Sequence, residues 1–534
     1  MKLFIALTIV LSLTACGGGS STASKIVTED QNSQSFQQGP SQQASTQQEQ
    51  QNSSVSDNTP TSIGNWAAGV YQSSRTFANR CADPRANSNY QDILGTVTDE
   101  NNWIRSWSHE TYLWYNELPD IDPETLSDPI AYFNQMKTPA KTASGRDKDQ
   151  FHFTYNTEEY NRLAQSGISV SYGASFKIIN ATTPRIIVTY TEANSPAAEA
   201  NIIRGAEVLA IDGVYLNNIS SDQDAEIINR GAFPDKIGEM HSFVIRDRNA
   251  INPRTLQLTS KEVTEIPVYQ TKVITQNGKK IGYLVLNTFG VATAEQQLID
   301  AVNSLKQQNI DELILDLRYN GGGYLNISAE LATMIAGDNA LGSIFNAIIY
   351  NDKRSIYNEN FRFPSAAFGF SAIQGSNLPK LNLSKVYILS TSNTASASES
   401  LINGLRGVDM EVVLIGENTR GKPYGFLPRD NCGTTYFTIQ FKGTNAKGYG
   451  DYADGFIPSV ADNGEDRVRG CRVSDDLSRE LGDSNENMLA TALHFIENDS
   501  CPSTAINRLS KSANPLHSVK GELLRPFPMG TIVQ

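Results

Sequence analysis

From Lys280 to Leu317 the chain reads KIGYLVLNTFGVATAEQQLIDAVNSLKQQNIDELILDL. The first ten residues form a nearly continuous apolar run, and a second apolar run follows at 313–317. Between them, residues 294–308 carry apolar side chains at three- and four-residue steps, which predicts an amphipathic helix. A buried strand, a helix and a second buried strand indicate a parallel α/β unit.

The same pattern recurs further along the chain. An apolar run at 385–389 is followed by a predicted helix over about 396–406 and by another apolar run at 411–415. We therefore expect an α/β core with parallel strands over residues 266–505. In such a core, ligand-binding and catalytic groups collect at the carboxyl ends of the strands.

Three loops follow these strands at their carboxyl ends. They read RYNGGG at 318–323, STSNTASASE at 390–399 and GENTRGK at 416–422. The last two contain Ser396 and Lys422. A serine hydroxyl needs a base that takes its proton, and the histidines, at 109, 152, 241, 494 and 517, are all distant from Ser396 in sequence. A buried lysine whose pKa falls from about 10.4 to near 7 can serve as that base.

Each loop also has an interpretation without catalysis. SASE at 396–399 fits a helix capping box, and GGG at 321–323 fits a tight turn. GENTRGK nearly completes the phosphate-binding pattern GxxxxGK[ST]. However, the next residue is Pro423, which offers neither a hydroxyl for magnesium nor an N–H for phosphate. We therefore expect no bound nucleotide.

In their order, DLRYNGGG at 316–323, TASASE at 394–399 and GENTRGK at 416–422 resemble the motifs of the carboxy-terminal processing proteases, the tail-specific endopeptidases of family S41. The resemblance extends from about Trp103 to Ile496. It implies a ClpP/crotonase-like α/β protease core with an inserted all-β PDZ-like domain. It also implies a serine endopeptidase that cleaves protein or peptide substrates through an acyl-enzyme, without a metal or another cofactor.

By position, the resemblance assigns Ser396 as the nucleophile and Lys422 as the general base. The backbone N–H groups of Ala397 and Gly322 would form the oxyanion hole, which needs the close approach that a glycine loop permits.

The chain departs from the family pattern four residues after the lysine. Many members carry a glutamine there, which is thought to orient the lysine, whereas this chain has Phe426. Glu399 is a candidate for the third catalytic residue, and the identity of that residue stays open.

Residues 166–265 contain short β-rich runs, and NSPAAEANIIRGAEVLAIDG at 194–213 resembles a PDZ domain of the bacterial protease-associated kind. Asn201 and Ala206 replace the usual glycine and aspartate of that pattern. By resemblance, Gly167-Ile168-Ser169-Val170 would form the loop and strand that capture a peptide carboxy-terminus. A purely structural β-domain is the alternative.

Residues 65–165 carry aromatic and apolar side chains at three- and four-residue steps, as in NWIRSW at 102–107 and ETYLWY at 110–115. This spacing predicts a mainly helical N-terminal domain. We expect its tryptophans to pack in the core rather than to stack on a ligand.

The chain begins MKLFIALTIVLSLTAC, which has the layout of an export signal. Its LTAC ending resembles a bacterial lipobox, which implies that residues 1–15 are removed and that Cys16 is lipidated; an ordinary cleaved signal peptide is the alternative. Residues 16–64 are rich in Gln and Ser and predict a disordered tether, and residues 506–534 are interpreted as a C-terminal tail. We expect a lipid-anchored protein of the bacterial cell envelope, in the outer membrane and facing the periplasm or the surface.

Four further cysteines, at 81, 432, 471 and 501, fit disulfides in an oxidising compartment. Three pairings are possible. We favour Cys432 with Cys471 and Cys81 with Cys501, because the second bond would tie the first folded segment to the last. The spacings contain no CxxC, which argues against zinc.

The net charge of −13 argues against a nucleic-acid partner. Two other functions stay open besides the peptidase. One is a catalytically silent peptide-binding or scaffolding lipoprotein on the same fold. The other is an acyl-CoA hydratase-like enzyme, which the predicted export disfavours. The presence of both Ser396 and Lys422 favours the peptidase.

Overall fold

The computed structural model describes residues 64–87, 89–179, 185–461 and 464–503, together with the backbone of residues 531–532. The predicted signal peptide, Cys16, the tether up to residue 63 and all of the predicted tail except residues 531–532 lie outside these residues. Among the helices in the described part of the chain, none is both long and apolar enough to cross a membrane.

The N-terminal segment packs its helices around aromatic side chains. Its elements are β1 (Arg80–Cys81), β2 (Ile93–Leu94), α1 (Val97–Thr111), α2 (Pro129–Gln135), β3 (Phe153–Asn156) and α3 (Thr157–Ser166). Trp103 and Trp107 are 2% and 6% exposed and stack with ring centroids 5.1 Å apart, so the predicted core role is confirmed for these two. The other tryptophans of the segment depart from it, because Trp66 is 38% exposed and Trp114 is only partly buried.

The segment is less helical than the predicted, mainly helical domain, because long irregular connections join its three helices. Helix α1 ends at Thr111, although the periodic pattern continues to residue 115. Tyr112 turns to extended backbone, and the Leu113 N–H donates to the carbonyl of Ile439 at 2.8 Å. This contact with a distant part of the chain ends the helix, and local periodicity does not report it.

The insertion between the N-terminal segment and the core is β-rich. Its elements are β4 (Ile168–Ser171), β5 (Ala174–Ile179), β6 (Arg185–Thr191), α4 (Pro196–Glu199), β7 (Glu207–Ile211), β8 (Val214–Tyr215), α5 (Asp222–Ala232), β9 (Met240–Arg246), β10 (Arg254–Thr259) and β11 (Lys261–Thr264). The main sheet has the order β10-β9-β7-β6-β5, and β4 pairs antiparallel with β11 at the junction with the core. The 11-residue helix α5 departs from the all-β prediction.

The core follows in chain order. Its elements are β12 (Val268–Gln276), β13 (Lys279–Leu286), α6 (Ala294–Gln307), β14 (Glu312–Asp316), β15 (Gly323–Tyr324), α7 (Leu325–Ala336), β16 (Ile344–Tyr350), β17 (Glu359–Arg362), β18 (Lys385–Ser390), α8 (Ala397–Gly407), β19 (Glu411–Gly416), β20 (Tyr424–Phe426), β21 (Arg429–Asn431), β22 (Thr434–Phe437), β23 (Phe441–Thr444), β24 (Ile457–Ser459), β25 (Arg467–Arg472), α9 (Asn487–Asn498) and β26 (Thr531–Ile532). The predicted strands and helices of both α/β units are confirmed as β13, α6, β14, β18, α8 and β19.

The main core sheet has the order β12-β13-β14-β18-β19-β25-β24. Apart from β12, which pairs antiparallel with β13, its strands run parallel. Alternate side chains of β13 face opposite sides of the sheet: Leu284 and Leu286 join the layer formed by α6, α7 and α8, whereas Tyr283 and Val285 pack against α9. This two-residue alternation between two apolar layers explains the continuous apolar runs.

The disulfides join Cys81 to Cys432 and Cys471 to Cys501. Both favoured pairings, Cys432 with Cys471 and Cys81 with Cys501, are therefore wrong. Cys81 lies beside the turn between β21 and β22, where the Asn79 N–H donates to the Asn431 side chain at 2.8 Å. Cys471 lies in β25, next to the chain that leaves α9. The bond at Cys81 still ties the N-terminal segment to the core.

Candidate active site

The predicted nucleophile, Ser396, lies at the turn that leads into helix α8. Its backbone adopts φ 58° and ψ −113°, a conformation that residues other than glycine rarely adopt. Its side chain is buried. The helix start supplies N–H groups and a dipole that favour negative charge at this point. A strained strand-to-helix turn of this kind is a recurrent way to present a catalytic serine.

Glu399 connects the serine loop to the lysine loop. Its buried carboxylate accepts hydrogen bonds from the N–H of Ser396 at 2.9 Å, the hydroxyl of Thr419 at 2.5 Å, and the N–H groups of Gly421 and Lys422 at 2.7 and 2.8 Å. One oxygen, Oε2, accepts from both Ser396 and Lys422, so a single atom joins their backbones. Burial raises the pKa of Glu399, and the hydrogen bonds act in the opposite direction.

Lys422, the predicted base, is buried among aromatic rings. Its Nζ lies 3.6 Å from the ring centroid of Phe426 and 4.8 Å from that of Phe151. Burial lowers the pKa of the Lys422 amine well below its ordinary value, and the charges of Asp149 and Glu399 oppose this shift only in part. The ring of Phe426 therefore lies beside the amine, at the position where the family resemblance predicts glutamine.

The predicted oxyanion-hole residues lie beside the serine. A Cβ added to Gly322 would lie 2.8 Å from the Cβ of Ser396 and 3.0 Å from the nitrogen of Ala397, so only glycine fits there. Ala397 occupies the first turn of α8, where an N–H has no acceptor within the helix. The Gly322 N–H donates to the side-chain oxygen of Asn320 at 2.9 Å, so this predicted donor already has a partner.

A buried ion-pair network lies at the first residue of the glycine loop, Arg318. Arg318, which is completely buried, pairs with Asp316, Asp475 and Glu486 at 2.9 to 3.0 Å. Its guanidinium lowers the pKa of Asp475, together with Arg204. Moving Arg318 away from these carboxylates would leave buried charges unpaired, which is strongly destabilising. The network therefore favours one position for the start of the loop.

The insertion reaches this network through Arg204. Its guanidinium donates to Asp475 at 2.6 Å and to the Thr189 carbonyl at 2.8 Å, and it also donates to the hydroxyl of Tyr319. Tyr319 donates in turn to Asp475 at 2.6 Å. A residue of the β-rich insertion thus contacts the loop that carries Gly322.

The segment predicted to capture peptide ends, Gly167-Ile168-Ser169-Val170, lies at the junction of the insertion with the core. Gly167 ends helix α3 with φ 70°, and its N–H donates to the carbonyl of Leu163 at 2.8 Å. The next three residues belong to β4, which pairs with β11. The Gly167 N–H is therefore already used as a helix cap.

Two family profiles match this chain. The profile described as peptidase family S41 matches residues 280–430, which contain all three predicted site loops, and the profile described as the peptidase S41 N-terminal domain matches residues 99–155. Residues 280–430 thus form a peptidase family S41 domain, and residues 99–155 form an S41 N-terminal domain.

Similar proteins and a solved structure agree with membership of S41. A carboxyl-terminal-processing protease of Picosynechococcus sp. is 30% identical over 50% of this chain and 58% of its own length. One from Synechocystis sp. is 29% identical over 50% of this chain and 56% of its own length. The chain thus spans somewhat more than half the length of these curated relatives. A crystal structure assigned to the S41 proteases, from Bacteroides fragilis, is 26% identical, with a TM-score of 0.56 over 78% of this chain and 100% of that one.

Sequence reasoning identified the three S41 loops but missed the residues that other segments bring to them. Asp149 and Phe151 lie near Lys422 without belonging to a recognisable short motif, although the match to the N-terminal domain profile includes both. Arg204 and Asp475 lie 271 positions apart in the chain. A family profile could have indicated Asp149 and Phe151, whereas only the fold reveals the contact between Arg204 and Asp475.

Proposed function

We propose that this S41 chain is an exported serine endopeptidase in which Ser396 is the nucleophile and Lys422 is the general base. The observation that carries the proposal is the environment of Lys422. Its amine is buried, its pKa is lowered, and Glu399 binds its backbone and that of Ser396 through one oxygen. A lysine that loses its proton easily is the base that a serine needs when no histidine is available.

The reaction proceeds in two halves. Neutral Lys422 takes the hydroxyl proton of Ser396 as Oγ attacks the substrate carbonyl, and the Ala397 N–H stabilises the oxyanion. The resulting ammonium then gives its proton to the leaving amine, which forms the acyl-enzyme and restores the neutral lysine. In the second half, Lys422 takes a proton from water, the hydroxide attacks the ester, and Ser396 recovers its proton. The Gly322 N–H contributes once its bond to Asn320 opens.

Glu399 acts in this scheme as a positioning residue. Its carboxylate binds backbone N–H groups of both the serine loop and the lysine loop. The glutamate therefore sets the distance between the serine turn and the lysine turn, the geometry on which proton transfer depends.

The decisive experiment replaces Ser396 and Lys422 separately. Ser396→Ala and Lys422→Met are each expected to abolish hydrolysis of an unfolded protein and labelling by a serine-directed acylating probe. Methionine keeps an unbranched apolar chain in the pocket, so the loss reports the missing amine rather than a cavity. Lys447→Met is the matched control, because Lys447 is exposed and pairs with Asp409 at the surface. Full activity in either site variant would exclude the proposed dyad.

The proposed substrates are proteins or peptides with accessible carboxy-terminal tails. The support is the similarity to relatives named carboxyl-terminal-processing proteases and the β-rich insertion that contacts the glycine loop through Arg204. We include the PDZ-like role of the insertion, the lipid anchor at Cys16 and the envelope location in this proposal. Deleting residues 166–265 is expected to slow cleavage of tailed proteins more than cleavage of short peptides, and equal effects would argue for a structural role.

A second candidate function has one observation in its favour. The Gly322 N–H is engaged by Asn320, as expected of a protein that binds peptides without turning them over. Mass spectrometry of an unfolded protein incubated with the purified chain separates the two functions. Fragments that disappear with Ser396→Ala support the peptidase, whereas intact bound protein supports the binding function.

A further inference from the structure

The last described strand lies next to the candidate active site. Strand β26, Thr531–Ile532, runs between β15 and β20 and is parallel to both. Thr531 pairs with Gly323 on one side and with Gly425 on the other, and Ile532 pairs with Tyr324 and Phe426. A segment from the far end of the chain thus joins two strands that do not pair with each other.

The core already uses the opposite edges of both flanking strands. On the β15 side, Phe289 donates its N–H to the Gly322 carbonyl at 2.8 Å and accepts from the Tyr324 N–H at 3.0 Å. On the β20 side, Gly425 pairs with Phe441 of β23. Each flanking strand therefore has one edge left for pairing, and these two edges border the same gap. Within the described residues, β26 is the strand that occupies this gap.

The gap lies between the glycine loop and the strand that carries Phe426. β15 begins directly after Gly322, and β20 ends at Phe426, whose ring lies 3.6 Å from the Nζ of Lys422. An occupant of the gap consequently runs between the glycine loop and the base. Unpaired strand edges bind extended peptides through main-chain hydrogen bonds, largely independently of side chains.

We propose that the gap between β15 and β20 is a binding site for an extended peptide strand and that the chain's own segment around Thr531–Ile532 occupies it in cis, as a pseudo-substrate that competes with substrate. The inference rests on the proposed function, because competition has meaning only at a working active site. A tethered segment has an effective concentration of about 1 mM or more. Even a weak strand contact is therefore enough to fill the gap for much of the time.

The test compares the full chain with a variant that lacks residues 504–534. This truncation keeps Cys501 and its disulfide. With a short unstructured peptide as substrate, we expect kcat/KM to rise about threefold to tenfold on truncation, mainly through a lower KM, because the tethered competitor is gone. A synthetic peptide with the sequence of residues 523–534, LLRPFPMGTIVQ, should inhibit the truncated variant competitively.

A substitution in the full chain supplies a control that leaves its length unchanged. Ile532→Pro removes one N–H from the strand and should raise kcat/KM toward that of the truncated variant. Ser512→Pro, which places the same residue type 19 positions before Thr531 in the sequence, should leave it unchanged. Self-cleavage of the tail in the full chain, but not in Ser396→Ala, would show that the segment reaches the serine. That result would also support occupancy of the gap in cis.

The outcomes separate this inference from the proposed function. Equal kcat/KM for the full and truncated chains, with Ser396→Ala inactive, would overturn the tail inference and leave the peptidase standing. If neither form cleaves peptide or reacts with the acylating probe, the peptidase proposal fails. In that case, fluorescence anisotropy of labelled LLRPFPMGTIVQ with the truncated chain still decides whether the gap binds the segment, and absence of binding would overturn the site.

Discussion

Phe426 stands four residues after Lys422, where the resemblance to family S41 leads one to expect glutamine. The centroid of its ring lies 3.6 Å from the Nζ of Lys422. A ring face attracts an ammonium but accepts no conventional hydrogen bond from it. Burial is the largest influence on the pKa of Lys422, ahead of the charges of Asp149 and Glu399.

Replacing that ring changes the expected pH dependence. In the proposed mechanism hydrolysis needs neutral Lys422, so kcat/KM should rise with pH as the amine loses its proton. In Phe426→Gln, the amide oxygen can accept a hydrogen bond from the ammonium and stabilise the charged form. We expect the rising limb of the pH profile to move up by about one pH unit, which corresponds to about 1.4 kcal/mol. Phe426→Leu keeps the pocket apolar and should move the limb in the other direction or not at all, and superimposable profiles for all three proteins would contradict this account.

Keeping Lys422 neutral reduces the stability of the fold. The unfolded lysine is protonated at neutral pH, whereas burial lowers the pKa of the folded one. Stability associated with Lys422 is therefore lost as pH falls below the unfolded pKa of about 10.4, where the unfolded state binds the extra proton. Lys422→Met removes this effect. Urea unfolding at pH 7 should show a gain of about 1 to 2 kcal/mol, which shrinks above pH 10; equal stability at pH 7 would refute the explanation.

At the scale of secondary-structure elements, the insertion and the core meet at a buried charge network. Arg204 links the insertion to Asp475 and to Tyr319, next to the glycine loop. The contact couples the position of a β-rich domain to the loop that carries Gly322. Because these groups are buried, their arrangement depends on all of them being present.

Removing Arg204 should therefore affect catalysis as well as stability. In Arg204→Ala, Asp475 and Tyr319 lose a buried partner, and the loop after Arg318 gains freedom. We expect the free energy of unfolding to fall by about 3 kcal/mol and kcat to fall at least tenfold at a temperature where the variant is folded. The matched control is Arg185→Ala, since Arg185 pairs with Glu207 within the insertion. A fall in stability with an unchanged kcat would show that the network is only structural.

At the scale of the whole molecule, the two disulfides restrain very different lengths of chain. The Cys81–Cys432 bond spans 351 positions, whereas Cys471–Cys501 spans 30. In the chain-entropy description, the longer loop stabilises more, by about 2 kcal/mol. We expect the double variant Cys81→Ser with Cys432→Ser to lose more unfolding free energy in urea than Cys471→Ser with Cys501→Ser. The reverse order would show that local packing, rather than chain entropy, dominates.

Much of the α/β core could be predicted because its signals are local. Strands β13 and β14 place alternate side chains in two apolar layers, and the predicted strand, helix and strand within residues 280–317 formed with bounds close to those expected. The ETYLWY stretch shows where local reasoning fails. Its periodicity predicts helix, yet the Leu113 N–H pairs with Ile439, more than 300 residues away, and the helix stops.

By itself, the sequence determined the strand and helix order of the core, the three loops at the strand ends and the serine and lysine within them, because burial period and short motifs depend only on neighbouring residues. The tertiary structure alone decided the disulfide partners and the position of β26 between β15 and β20. It also decided three contacts at the site: the hydrogen bond between Gly322 and Asn320, the aromatic rings beside Lys422 and the hydrogen bond from Arg204 to Tyr319. Most of these contacts join residues far apart in the chain, and even the short-range bond to Gly322 depends on how its loop is held. Which distant segments meet is set by the packing of whole elements around a shared core.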